Sequence, residues 1–187
     1  RLRLSSIDCV EVDENFNEVL KDQRVMPHLH LSIQSGDDMI LKRMKRRHNS
    51  KDVFQFVDRC KKIRKDISFG ADIIAGFPTE TDTMFENTYK LLRENEISHL
   101  HIFPFSPKNN TPASRMPQVS KSIIKKRAKI LRDLGELILK KVKSKLSLPR
   151  EILIEELNSG LAIGYDQNYI KHKVPLVGVP VGEVIRV

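Results

Sequence analysis

Three apolar runs that end in loop-forming residues constrain this chain more than any other feature: HLHLSIQSG (28–36), GADIIAGFPTE (70–80) and HLHIFPFSPKNNTP (99–112). Each run has strand character, stops at Gly, Pro, Ser or Asn, and gives way to a stretch with helical spacing. Strand, polar loop and helix, repeated, is the order expected of parallel strands joined by crossover helices. In such folds ligands sit beyond the carboxyl ends of the strands, where these loops would gather. Three scattered segments thereby become one candidate site.

The remaining elements follow from periodicity and capping. Leu2 and Leu4 alternate with Arg3 and Ser5 in a first strand over 1–6. Residues 13–24 read as a helix or irregular connection with Phe16, Val19 and Leu20 on one face, ended by Pro27 before a strand over 28–34. Asp37 or Asp38 is expected to cap a short helix to about His48, with Ile40, Leu41 and Met44 inward. Ser50 is expected to cap a helix through Lys65, with Val53, Phe54, Phe56, Val57 and Cys60 as its apolar stripe. Thr79 and Asp82 resemble a cap for a helix to about Asn95, on which Met84, Phe85, Thr88, Leu91 and Leu92 recur. Beyond a strand over 99–105, residues 107–117 form an aperiodic loop. Ser120 then caps a long helix whose inward face is Ile123, Ile124, Ile130, Leu131, Leu134, Leu137, Ile138 and Val142, and which Ser147–Pro149 break. Residues 151–187 read as short strands (EILIEE, LAIGYD, NYIKH) with turns at Asn158–Gly160 and Asp166–Asn168, then a Val-, Gly- and Pro-rich tail. This is a small all-β module with too few residues to be comfortably stable alone.

At 187 residues, 40% hydrophobic and 30% charged, the chain has the makeup of a soluble globular protein with one domain and an appendage. No run approaches the ~18 apolar residues of a membrane-spanning helix. Two cysteines, Cys9 and Cys60, point to a reducing compartment and a cytoplasmic protein with buried thiols, and are too few to ligate an iron–sulfur cluster. The chain opens at Arg1 in what already reads as strand, so a cut N-terminus is expected.

The formal charge of +9 is unevenly placed: residues 120–150 hold eleven Lys and Arg against only Asp133 and Glu136. A helix this basic faces an anion, nucleic acid being the commonest large one, or is simply a solvated surface. Lys42-Arg43-Met44-Lys45-Arg46-Arg47 forms a second basic cluster. In the appendage Tyr165, Tyr169, Lys171 and Lys173 combine rings and cations, which suits single-stranded nucleotides or, alternatively, a small β core. Lys125, Lys126, Lys129, Tyr169, Lys171 and Lys173 are the candidate RNA-binding residues.

Within the first segment Leu29, Leu31 and Ile33 point one way, and His28, His30, Ser32 and Gln34 the other. Ser32 and Gln34 offer a hydroxyl and an amide near the strand's carboxyl end, suited to a ribose or a small polar ligand, and Gly36 permits a tight turn. Gly76, where strand meets helix, lets backbone approach a ligand and points to an anion at the helix start. Asp72 shares a face with Ile74 and Gly76, and a carboxylate there is costly unless used or paired. His28/His30 and His99/His101 are read as packed or hydrogen-bonded rather than metal-ligating. No nucleophile elbow, Walker loop or metalloprotease helix occurs.

HLHLSIQSGDDMILKRMKRRH, DIIAGFPTETDTMFENT and HIFPFSPKNNTPASRMPQV resemble consecutive signatures of the radical S-adenosylmethionine methylthiotransferases. EILIEELNSGLAIGYDQNYIKHKV resembles the TRAM domain that follows them. LRLSS and LHLSIQSG point to the branch that methylthiolates threonylcarbamoyl-adenosine beside the anticodon of tRNA. The resemblance implies an α/β fold, a partial (β/α) barrel of radical SAM type over 1–119. A basic helix and linker over 120–150 and a TRAM-like β module over 151–187 would follow. It implies S-adenosylmethionine across the strand ends, with Ser32 and Gln34 facing its ribose or methionine part, Asp72, Ile74 and Gly76 its adenosine, and Phe103 and Phe105 lining the adenine. It further implies a [4Fe-4S] cluster that cleaves the cofactor to a 5′-deoxyadenosyl radical, and a second cluster carrying sulfur from a donor it does not name.

The departure is the missing CxxxCxxC motif, which in the family lies upstream of the matched region. The chain is therefore expected to be the C-terminal portion of a methylthiotransferase, inactive by itself, with tRNA as partner and, if the gene is split, a separate N-terminal half. The alternative is a non-catalytic, RNA-binding remnant. Half a barrel is also expected to expose edges that promote association.

Overall fold

The computed structural model describes residues 1–146, 149–175 and 178–187. Four strands, β1 (Leu2–Ile7), β2 (Val25–Gln34), β3 (Ser68–Ala75) and β4 (Ile97–Pro104), form one parallel sheet in sequential order. Helix α1 (Phe16–Lys21) joins β1 to β2. Helices α2 (Asp38–Arg43) and α3 (Ser50–Ile63) join β2 to β3, α4 (Asp82–Glu94) joins β3 to β4, and α5 (Lys121–Lys145) follows. Alternation in β2 sends Leu29, Leu31 and Ile33 into the core beside Phe69, Ile73, Leu91, Leu92 and Leu131. The other face carries the histidines and Asp72.

Several boundaries differ from the sequence reading. Strand β2 starts at Val25 and runs through Pro27. The β1–β2 register shifts between Leu2 and Leu4, around Pro27, and β3 pairing begins only at His28, so the missing N–H costs no ladder bond. Asn49, not Ser50, caps α3 in a reciprocal capping box with Asp52. Thr81, not Thr79, caps α4. The short α2 stops before His48, because Lys45 enters the left-handed region at φ 57°. The irregular loop contains one 3-10 turn, Pro112–Arg115. Phe54, Ile123 and Leu137 are exposed; each lies just off a stripe set by 3.6-residue periodicity. On α5 that stripe is Ile124, Arg127, Ala128, Leu131, Leu134 and Ile138, with Ser120 as the cap, as expected. Of the expected break after α5, Ser147 and Leu148 lie outside the described residues.

The C-terminal strands β5 (Glu151–Asn158), β6 (Leu161–Tyr165), β7 (Lys171–Pro175) and β8 (Val184–Arg186) form an antiparallel sheet ordered β7-β6-β5-β8. Ser159 and Gly160, both at positive φ (48° and 80°), make the two-residue hairpin turn. The module's own core is small, Ile152, Ile154 and Ala162.

Polar contacts attach this sheet to the N-terminal end of the parallel one. Asn168 Nδ2 donates to Pro27 O at 3.0 Å and to Asp66 O at 2.6 Å, while Ser68 Oγ donates to Asn168 O at 3.0 Å. The fully buried Asp166 accepts from Arg150, from the Asn168 and Ile170 amides, and from His172. Tyr169, a candidate RNA-binding residue, lies 5.3 Å from His28 and 4.7 Å from Tyr165, under the Arg3 guanidinium, and stays 37% exposed. The residues 166–170 thus plug the base of the strands. Burial, reinforced by the His99 imidazole, pushes His28 down to about 2, and burial pushes His99 down to about 4, so the layer above the plug is uncharged at neutral pH.

Candidate active site

At the opposite, carboxyl end of the strands a cavity of about 470 Å³ opens between β2, β3, β4 and the loop after β4. Gln34, Asp72, Ile74, Phe103 and Phe105 line it, together with Lys108 and Thr111. Five of the seven residues chosen from sequence for a cofactor therefore meet around one space. Gln34 sits at the cavity edge at φ 67°, a conformation costly for a non-glycine residue. Phe103 is 52% exposed, an apolar ring facing the opening.

Asp72 is held from the sheet face. His30 Nε2 lies 2.9 Å and His101 Nδ1 3.2 Å from Asp72 Oδ1, and the two imidazoles lie 4.5 Å apart. An ionised carboxylate there takes an N–H from both rings, which sets their tautomers and leaves Oδ2 outside these two bonds. The three ligand atoms lie within 4.8 Å, as do those of Asp8, Cys9 and His48. In the second group Arg46 already pairs with Asp8 at 3.0 Å, and burial pushes the Cys9 thiol up to about 12. Cys60 is likewise pushed up to about 12 by burial, so neither sulfur is a ready thiolate.

Ser32 and Gly76 stand apart from the cavity. The Ser32 carbonyl accepts from Arg46 Nη2 at 2.9 Å. Gly76, at φ 75°, has its amide bound to Glu80 Oε2 at 3.1 Å, so that N–H is not offered to an anion. A Cβ there would meet Ile124 Cγ1 at 2.4 Å, so the glycine is needed for packing of α5 against the strand end. Gly36 is needed in the same way, since a Cβ would come within 2.6 Å of Thr88 Cα. Gly76→Ala is expected to lose about 2–4 kcal/mol in urea denaturation, from overpacking plus the left-handed backbone. A loss below about 1 kcal/mol would show that α5 yields.

Sequence reasoning missed Arg127. It is buried on α5, donating to Glu80 Oε2 at 2.7 Å and Glu80 O at 3.0 Å, with Asp82 at 2.7 Å. A guanidinium at position i of the apolar stripe (Ile124, Ala128, Leu131) was the only available signal. Lys125, Lys126 and Lys129 are exposed on the outer side of α5, Lys129 being paired with Asp133 at 2.7 Å. Lys171 and Lys173 are exposed on β7, at the end of the sheet remote from the cavity.

Residues 6–92 match the Radical SAM superfamily model. A threonylcarbamoyladenosine tRNA methylthiotransferase MtaB of Rickettsia prowazekii is 51% identical over 93% of this chain and 41% of its own length. The protein of the same name from Thermotoga maritima is 41% identical over 98% of this chain and 43% of its own. The chain thus spans less than half the length of these relatives. The coproporphyrinogen III oxidase of Escherichia coli, a radical SAM enzyme, shares the fold at 18% identity, with a TM-score of 0.57 over 71% of this chain and 32% of that one. Among the described residues no helix is long and apolar enough to cross a membrane. These matches make the chain similar, over nearly all of its length, to part of the radical S-adenosylmethionine methylthiotransferases.

Proposed function

We propose that this chain supplies the cofactor-binding strands of a methylthiotransferase acting on adenine C2 of threonylcarbamoyladenosine beside the anticodon of tRNA. The supporting observation is the convergence of Gln34, Asp72, Ile74, Phe103 and Phe105 on one cavity at the strand ends. Its volume, about 470 Å³, is that of a small-molecule site, and its apolar plates with a few polar groups fit S-adenosylmethionine. Phe103 and Phe105 would flank the adenine and exclude water, Ile74 would form the floor, and Asp72 Oδ2 and the Gln34 amide would take the ribose hydroxyls. When bound, S-adenosylmethionine supplies the radical that takes hydrogen from the substrate and the methyl group that is added to sulfur. The sulfur chemistry of the iron–sulfur clusters does not fit Cys9 and Cys60, two separate protonated thiols.

In this reading residues 1–119 belong to the barrel, 120–150 are a basic helix and linker, and 151–187 are a TRAM-like module. Asp72→Ala and Phe103→Ala are each expected to weaken S-adenosylmethionine binding, measured by calorimetry on the chain, by about tenfold or more. Unchanged affinity in both variants would remove the site. A second reading, an RNA-binding piece without catalysis, draws on the shortage of thiolates. Calorimetry of the unaltered chain with S-adenosylmethionine separates the two, because only the first reading expects the cofactor to bind at the strand ends.

A further inference from the structure

A second depression of about 590 Å³ adjoins the cofactor cavity and shares Gln34, Ile74, Thr111 and Ala113 with it. Its other walls are Met44, Phe77 and Pro112, which are apolar, and Arg43, Lys45 and Arg46, which are not. We propose that this depression holds the RNA nucleotides flanking the target base, with Arg43 and Lys45 on their phosphates. The inference rests on the RNA reading above and deepens it.

Position comes first. A base reaching the cofactor cavity brings its neighbouring phosphates to the mouth of the strands, and this depression is that mouth. The module at the base of the strands is at the opposite end, where its Tyr169 ring packs on His28 and Tyr165.

Charge comes second. Arg46 and Arg47 of the basic cluster are neutralised by Asp8 and Glu11. Lys42, Arg43, Lys45 and Lys108 have no carboxylate partner among the described residues. Arg43 donates to the Thr79 hydroxyl at 2.7 Å, which orients its guanidinium without cancelling the charge. An oriented guanidinium fork is suited to a phosphodiester.

Backbone comes third. Helix α2 ends in a Schellman arrangement, with Arg46 N on Leu41 O at 2.9 Å and Lys45 N on Lys42 O at 3.0 Å. The left-handed residue of that motif is Lys45, at φ 57°. Glycine adopts this conformation without penalty and lysine does not. A cation is thus kept at the mouth where local structure favours a residue with no side chain.

The test uses the 187-residue chain and a fluorescently labelled anticodon stem-loop RNA, with anisotropy read between about 50 and 200 mM salt. Lys45→Gly is expected to weaken binding roughly threefold to tenfold while leaving the melting temperature unchanged or higher, which separates charge from folding. The Lys45→Gly/Arg43→Gln double variant is expected to lower the salt slope by about two. Lys171→Gln/Lys173→Gln is expected to change affinity less than about twofold. If the module variant loses RNA and the mouth variant does not, RNA grips the far end and the proposal fails while the methylthiotransferase reading stands. If the unaltered chain does not bind the stem-loop at all, the RNA reading fails with it, whereas the cofactor-binding measurement stands separately.

Discussion

Arg127→Met is expected to cost about 3–5 kcal/mol of stability at neutral pH, although it replaces a cation on a helix that already carries many. Removing that guanidinium leaves the Glu80 carboxylate, 6% exposed, without its counter-charge. Among the described residues the Gly76 amide remains as a donor to it, and the Asp37 carboxylate repels it. The loss would be read by urea denaturation beside Lys126→Met, the neighbouring exposed lysine, for which a change within about 0.5 kcal/mol is expected. Glu80→Gln with Arg127→Met should recover a large part of the loss, because the double change leaves no buried charge.

The pH dependence identifies the cause. Burial pushes the Glu80 carboxyl above its usual range, against the opposing pull of Arg127 and the Gly76 amide. A carboxyl raised by folding adds stability that is fully present below its unfolded value. That contribution is lost as pH rises through the folded value. Without Arg127 the folded value climbs further, so the deficit of the Met variant relative to the unaltered chain should shrink as the solution is acidified. A deficit constant from pH 7 to pH 4 would mean lost packing against Phe85, whose ring lies 5.4 Å from the guanidinium, and not an orphaned charge.

Asp166→Ala is expected to release the antiparallel sheet from the parallel one, at a cost of about 3–5 kcal/mol. One carboxylate, 0% exposed, anchors Arg150, His172 and the backbone of the plug at once. Its removal leaves the Arg150 guanidinium buried with only Asn168 Oδ1 as a side-chain acceptor. Limited proteolysis should then cut between α5 and β5, and the melt should split into two transitions. A single transition with unchanged protease resistance would show that apolar contacts, not this network, dock the module. The same comparison bears on the expectation of self-association, since β1 and β4 are the edge strands of the parallel sheet.

The elements legible in the sequence were those specified locally. The three strand-to-loop segments became β2, β3 and β4 because period-two alternation and the Gly and Pro stops act within a few residues. Ser120 and the Ser159–Gly160 turn were readable for the same reason. At the site, Gln34, Asp72, Ile74, Phe103 and Phe105 were legible because alternation assigns them to one face and the strand order brings them level. Gly76 and Ser32 lie off the lining of that cavity, and the sequence carried no sign of this, because a glycine or serine in a motif looks the same whether it meets a ligand or a neighbouring element.

The amino-acid order alone determined the strand–loop–helix succession and which residues share a face near the strand ends, since these depend on short-range pattern. The tertiary structure decided which charges are free to act. Arg127 and Glu80 lie 47 residues apart, and Asn168 reaches Pro27 across 141. Those encounters consume an arginine, a tyrosine and a glycine that composition would have left for a ligand. Arg43 and Lys45 at the cavity mouth stay unpaired because folding brings no carboxylate to them among the described residues, whereas Arg46 beside them is taken by Asp8.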